Sequence, residues 1–491
     1  MALSQSDSST TDKNRADSDR FKIAVFIALP SMVLLLSFLD FLGGLLRSGF
    51  WADDFLSLTF YSSSSNFFNL SVDLGKFATN VFWKFGTMAF GSGSAVPYLL
   101  LNTAIFVSGL AMWIFACRGK YWPRSIGWWI AGMLMANAAW LPITMWSSNV
   151  THSAAFFSLG VAMLCHERVI NAEDYRHAIL WSLTGAIAWT AVIASDSLYL
   201  GVVILGAYCA LVQCHFLQRW KKSRWLSFSI FGWNILPPVL YFVLVGYPQQ
   251  VKSAAYSGGG LRFLSVNFQY YHLQLSPSVW TNAIYLFIAA VTCCGAMGAL
   301  YRRDYFPAAC VVAAAVMIGI ILTQSNQRDV HYTVMAFMLI LSACASGWTT
   351  CFRTYEWTRR NASLFCRAAL STGILALGVL FHSGINLRSY FSASPYGGEL
   401  SIFREGVSTL VPRGAQLCAI LNLSQSNVQL FDAEISGTRG FSVAPISASS
   451  TYLVANRSQC PLTATSTVGV QISPAGNFQA YAISKSTSSS G

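Results

Sequence analysis

From about residue 22 to residue 386 the chain alternates between long apolar runs and short polar connectors, the pattern of repeated membrane-spanning helices. Eleven spans are expected, over 22–46, 97–117, 125–146, 152–165, 178–195, 198–216, 226–246, 279–299, 307–323, 332–350 and 368–386. The fourth and ninth are short for a hydrocarbon core of about 30 Å and are expected to be tilted or partly re-entrant. The first run is too long for a signal-peptide core, and no small-residue cleavage site follows it. Two connectors are long, 47–96 and 247–278. Inside the first of them the period changes. Leu74, Phe77, Val81, Phe82, Phe85 and Met88 recur at helical spacing, with Asp73, Lys76, Asn80 and Lys84 on the opposite face. That is an amphipathic helix over 72–89, suited to lie flat at a membrane interface or to pack as a lid on the bundle. Residues 1–20 are polar, charged and expected to be disordered. From 387 to 491 Ser, Thr, Ala, Val and Asn dominate, and "AQLCAIL", "NVQLF" and "FQAYAIS" read as short strands between turns. The fold class is therefore mainly α, a polytopic membrane domain over 21–386 followed by a small β-rich domain over 387–491.

Composition agrees with the pattern. Hydrophobic residues make up 54% of the 491 and charged residues 10%, against about 25% charged in soluble domains. The sign of the charges then orients the chain. With the N-terminus inside, inner segments carry 19 of the 31 Lys and Arg, the outer loops six and the C-terminal tail six. That is the positive-inside bias. The net charge of +12 is thus mostly a topology signal and an attraction to anionic lipid. Dispersed over many loops, it excludes a nucleic-acid surface. An odd number of spans places 387–491 outside. Of the twelve cysteines, ten fall in spans or inner loops, without metal-ligand spacing to nearby His. Cys418 and Cys460 are the outer pair, and an oxidising exterior would join them in a disulfide.

The ionisable residues near membrane depth collect on the outer side. Asp53 and Asp54, in "FWADDF", stand at the mouth of the first span, with Asp40 deeper in the same run. Asp196 opens the third outer loop, and Arg328, Asp329 and His331 form "QRDVH" in the fifth. Such groups cost about 2.5–3.5 kcal/mol each in a lipid setting and favour protein interior or wet cavities. Each also has a plain structural use: solvated loop charge for the acidic pair, helix capping for Asp196, a helix-end flank for Arg328 and Asp329, a packed core imidazole for His331 and interhelical bonding for Asp40. Mid-depth is nearly free of charge, which argues against a carrier of charged substrates. A carboxylate at the rim suits transfer of a sugar from a lipid phosphate. The leaving phosphate needs cations rather than a general acid, and the attacking hydroxyl needs a base.

The stretch "SGFWADDFLSLTFYSSSSNFFNLSVDLGKFATNVFWKFG", set after a first span and before many others, resembles the GT-C class of integral-membrane glycosyltransferases. Within that class it is similar to bacterial serotype-converting glucosyltransferases, with the resemblance covering roughly 21–350. It implies a GT-C-like fold in a bacterial inner membrane, N-terminus cytoplasmic and C-terminus periplasmic, using a polyprenyl-phosphate sugar donor. It makes Asp53 or Asp54 the catalytic base; of the two, Asp53 is taken as the base, with Asp54 supporting it or coordinating the acceptor. The donor phosphate is assigned to Arg328, with Lys84, Lys252 and Arg262 behind it; Asp196, His331 and Asp329 are further candidates. No cofactor is required, and a divalent cation beside the acidic pair is compatible. The acceptor is a glycan, a lipid or a surface protein. The chain departs from many relatives in its second outer loop, "SSNVTH", which lacks a carboxylate, so His152 or Asp196 stands in or none is needed. The rival readings are a transporter or flippase for lipid-linked sugars, a glycan polymerase or ligase leaning on outer arginine and histidine, and a non-catalytic membrane subunit.

Overall fold

The computed structural model describes residues 77–91, 95–118, 120–122, 124–136, 138–217, 224–246, 260–275, 279–324 and 330–354, with isolated positions in the first apolar run and three strands near the C-terminus. These residues are mainly helical. The helices are α1 (Phe77–Phe90), α2 (Val96–Cys117), α3 (Arg124–Ala136), α4 (Leu141–Met145), α5 (Val150–Ile170), α6 (Tyr175–Ser195), α7 (Val202–Leu217), α8 (Arg224–Tyr241), α9 (Leu264–Leu275), α10 (Val279–Tyr301), α11 (Phe306–Leu322) and α12 (Val334–Thr354). Five stretches are long and apolar enough to cross a membrane: Val96–Cys117, Ser147–Ile170, Tyr175–Ser195, Ser197–Leu217 and His331–Thr350. Ser229–Val245, Tyr285–Tyr301 and Phe306–Leu322 are shorter apolar helices. The first and last expected spans, 22–46 and 368–386, lie outside the described residues apart from those isolated positions. Large apolar side chains face outward along these helices, among them Ile187 (73% exposed) and Leu286 (71%). In water that surface would be costly; a lipid bilayer suits it.

Two expectations about the spans change. The fourth, read as 152–165, belongs to a helical stretch over Ser147–Ile170. The apolar run underestimates it because polar residues just beyond the read ends are buried inside the protein: Ser147 is 0% exposed, Asn149 6% and His166 1%. The third, read as one helix over 125–146, is broken into α3, a 3-10 turn over Ala138–Trp140 and α4. Pro142 sits in the first turn of α4, where its missing N–H is tolerated but where it cannot continue a preceding helix.

Small residues let the helices approach. A Cβ on Gly160 would collide with the Gly109 carbonyl, and one on Gly347 would collide with Gly295, so α2 meets α5 and α10 meets α12 backbone to backbone. Around these contacts lies an aromatic core that includes Trp83, Tyr98, Phe106, Trp113, Phe156 and Phe306. Trp113 Nε1 donates to Ser342 Oγ at 3.0 Å, tying α2 to α12.

The amphipathic helix is present as α1, but its faces are sorted differently from a soluble lid. Phe82, Trp83 and Lys84 are buried against the bundle, while Val81, Phe85 and Met88 point outward, Met88 at 69% exposure. The helix packs on α2, α5 and α6. Gly86 makes that seat, since a Cβ there would strike the Tyr98 ring, whose hydroxyl donates to the Gly91 carbonyl at 2.6 Å.

Near the C-terminus, β1 (Gln416–Cys418) pairs parallel with β2 (Thr467–Ile472), which pairs antiparallel with β3 (Phe478–Ile483). The rest of 387–491, where the β-rich domain was expected, lies outside the described residues.

Candidate functional site

Chain direction gives the bundle two ends. At one end α2, α5 and α12 begin and α6 finishes; at the other, α2, α5, α7, α10 and α12 finish. The first is termed the His331 end and the second the Lys120 end. The orientation expected from the Lys and Arg distribution would put the His331 end outside.

The broken helix builds the His331 end. Asn102, fully buried in α2, donates from Nδ2 to the carbonyls of Ile143 (2.6 Å) and Trp146 (3.2 Å). Asn149 Nδ2 donates to the Pro142 carbonyl at 2.9 Å. Between them Trp146 stands in extended backbone, φ −124° and ψ 112°. His152, in the first turn of α5, places Nδ1 2.6 Å from the Tyr199 hydroxyl in the 3-10 turn Ser197–Gly201. Asp196 caps that turn, accepting from the Leu198 amide at 2.8 Å. The capping use expected for Asp196 is what its geometry shows. From the last segment, His331 and Tyr332 close the group. The His152 and His331 rings lie 4.8 Å apart, Tyr332 stacks on His331 at 4.5 Å and meets His152 edge-on at 4.6 Å, and Trp146 meets His331 edge-on at 6.4 Å. His152, His331 and Tyr199 are each 1% exposed, and Trp146 and Tyr332 are half-buried.

Of the other residues singled out in the sequence, Lys84 is 8% exposed, on the bundle side of α1. Arg262 lies in the turn Leu261–Phe263, its guanidinium 4.8 Å from the Phe263 ring centroid. That turn is fastened to the end of α11, where the Gly260 amide donates to the Thr323 carbonyl at 2.7 Å and Asn267 Nδ2 to the Leu322 carbonyl at 2.9 Å. Asp53, Asp54, Asp40, Lys252, Arg328, Asp329 and Cys460 lie outside the described residues. Cys418 ends β1, while Cys460, its expected disulfide partner, is among those undescribed positions. Sequence reasoning weighed His152 and His331 separately and missed Trp146, Tyr199 and Tyr332. The available signal was an aromatic residue beside each polar helix start, in "MWSSNVTH", "DSLY" and "DVHY".

A second polar group occupies the Lys120 end. Asn234 Nδ2 donates to Ser182 Oγ (3.3 Å), Ser182 Oγ to Gln213 Oε1 (3.0 Å), and Gln213 Nε2 lies 3.4 Å from His166 Nδ1. His166 Nε2 is 3.2 Å from the Tyr121 hydroxyl. This chain joins α5, α6, α7 and α8, the use of polar side chains as glue between helices in a membrane setting. Beside it, Lys120 Nζ sits 5.1 Å from the Tyr121 ring and 5.6 Å from the Phe216 ring. Burial lowers the Lys120 pKa, against the opposing pull of Cys209, Asp304 and Cys117. Burial likewise pushes the Tyr121 phenol well up.

Among the described residues no three His, Cys, Asp or Glu are grouped to hold a metal ion. No protein-family model matches the chain, and no curated protein does either.

Proposed function

We propose that this membrane protein is an inverting glycosyltransferase of GT-C type, moving a sugar from a polyprenyl-phosphate donor to a hydroxyl acceptor on the periplasmic face of a bacterial inner membrane. The observation that carries the reading is α1. It follows Asp53 and Asp54 in the same loop, presents Val81, Phe85 and Met88 outward, and holds Lys84 against the bundle. A lipid-phosphate sugar asks for that combination: an apolar surface for the prenyl chain, a cation for the phosphate and a carboxylate for the acceptor hydroxyl. Asp53 is the base and Asp54 sets its position and charge. Two adjacent carboxylates resist full ionisation together, which raises one affinity for protons and makes a better acceptor. Arg328, separated from His331 of the aromatic group only by Asp329 and Val330, is the first candidate for the phosphate, with Lys84, Lys252 and Arg262 behind it.

The test is turnover of a purified polyprenyl-phosphate sugar, with donor binding measured on the same variants. Asp53→Asn should lower turnover on the order of 10²-fold or more while donor binding persists. Asp54→Asn should do less. Wild-type turnover by both removes the base assignment.

One observation favours a second reading. The buried His152–His331 pair is the histidine feature that a glycan polymerase or ligase would use. In that case His331→Gln abolishes transfer and Asp53→Asn spares it.

A further inference from the structure

We propose that the His331 end carries a binding site for one pyranose ring, held between the aromatic faces of Trp146 and Tyr332; this deepens the glycosyltransferase reading and rests on it for what the sugar is attached to. Both residues are half-buried, and each ring packs on the buried imidazole of His331, which lies 4.8 Å from that of His152. A hexopyranose has an apolar face of C–H groups and a belt of hydroxyls. The negative face of an aromatic ring attracts the first, and Trp and Tyr do so while tolerating a wet edge. The second needs fixed polar atoms, and the site has spare ones. Ser147 Oγ, next to Trp146, is fully buried and has no hydrogen-bond partner among the described residues. Asn102 spends its Nδ2 on the Ile143 and Trp146 carbonyls and leaves Oδ1 buried and unpartnered there. Folded proteins rarely leave such atoms unsatisfied, so water or a ligand belongs beside them.

A membrane-interface belt also uses Trp and Tyr at span ends. Belt residues, however, turn their rings to lipid, whereas Trp146 and Tyr332 pack on His331. Lipid chains would offer nothing to Ser147 and Asn102.

The test uses full-length protein in lipid nanodiscs and saturation-transfer NMR with methyl β-glucopyranoside, methyl β-galactopyranoside and methyl α-mannopyranoside. At least one should receive saturation from the wild type. Trp146→Leu and Tyr332→Leu should each weaken its binding about tenfold, as expected for a lost aromatic contact, whereas Trp146→Phe, which keeps a ring, should hold most of it. If a Leu variant fails to fold, Ser147→Ala takes its place, with weaker binding expected. No transfer to any of the three, or binding unchanged in the folded variants, overturns the proposal. Displacement of the bound hexoside by a short-chain prenyl-phosphate glucose assigns the site to the donor, and displacement by an acceptor oligosaccharide assigns it to the acceptor. Binding that depends on Trp146 and Tyr332 in a protein without turnover would leave this site standing and defeat the reaction. Turnover with binding indifferent to both residues would defeat the site alone.

Discussion

Tyr199 shows how much a single buried hydroxyl carries. Its oxygen lies 2.6 Å from His152 Nδ1, and both side chains are sealed from solvent. Tyr199→Phe keeps the ring and removes the hydroxyl, so the buried imidazole loses this partner. The expected cost is about 1–3 kcal/mol, read as a lower thermal midpoint in detergent or nanodiscs. An unchanged midpoint would mean that the contact contributes nothing to the fold. Lys120 supplies a pH dependence. Its folded pKa lies below the ordinary 10.5, because burial disfavours the ammonium. The unfolded chain therefore binds the proton more tightly, and this group costs stability below its folded pKa, a cost that fades as pH rises from that value to 10.5. Lys120→Met has no such term. The stability difference between wild type and Lys120→Met should thus shift in favour of wild type between neutral pH and about 10.5. A pH-independent difference would show that Lys120 is solvated as in the unfolded chain.

At the scale of elements, close approach is the feature most open to test. Gly160 on α5 lies so near the Gly109 carbonyl that any side chain must push α2 and α5 apart. Gly160→Leu should cost at least about 1–3 kcal/mol, the range for overpacking, and more where backbone rather than side chain must move. Gly319, in α11, has open space where a Cβ would stand, with nothing within 4 Å, so Gly319→Ala should be neutral or stabilising by up to about 1 kcal/mol. Equal effects of the two substitutions in a thermal-shift assay would refute the packing argument. The sequence made these helices visible because apolar runs report lipid-facing length. It misjudged the stretch over Ser147–Ile170 because Ser147, Asn149 and His166, just beyond the read ends, are polar yet buried inside the protein. It misjudged 125–146 because one proline inside an apolar stretch carries no hydropathy signal. In α1 the period was legible but not the sense of its faces, since a bilayer rewards outward Val81, Phe85 and Met88 as readily as a core rewards them inward. The candidate site was less legible still. His152 and His331 are far apart in sequence, and pairing them needs the fold of four separate segments.

The whole molecule turns on which end faces outward. Residues 331 and 351 belong to one continuous helical stretch, so Cys351 and His331 lie at opposite ends of the bundle. If the Lys and Arg distribution orients the chain, His331, Asp53 and Asp54 are periplasmic together with Cys418 and Cys460, and Cys351 and Cys366 are cytoplasmic. Intact cells treated with reductant and then with a membrane-impermeant maleimide should therefore label Cys418 and Cys460 and spare Cys351 and Cys366. Without reductant the outer pair should resist the reagent, because a disulfide across the intervening 41 residues would hold them. Closing such a loop stabilises the outer segment by about 3–4 kcal/mol in the chain-entropy model. Loss of the bond through Cys418→Ser should lower the protease resistance of residues 387–491 and leave the bundle intact, since β1 is a short strand and a poor anchor by itself. Labelling of Cys351 from outside would invert everything above it. The acidic pair, Lys84 and the aromatic site would then face the cytoplasm, where the transfer from a periplasmic polyprenyl-phosphate sugar has no substrate.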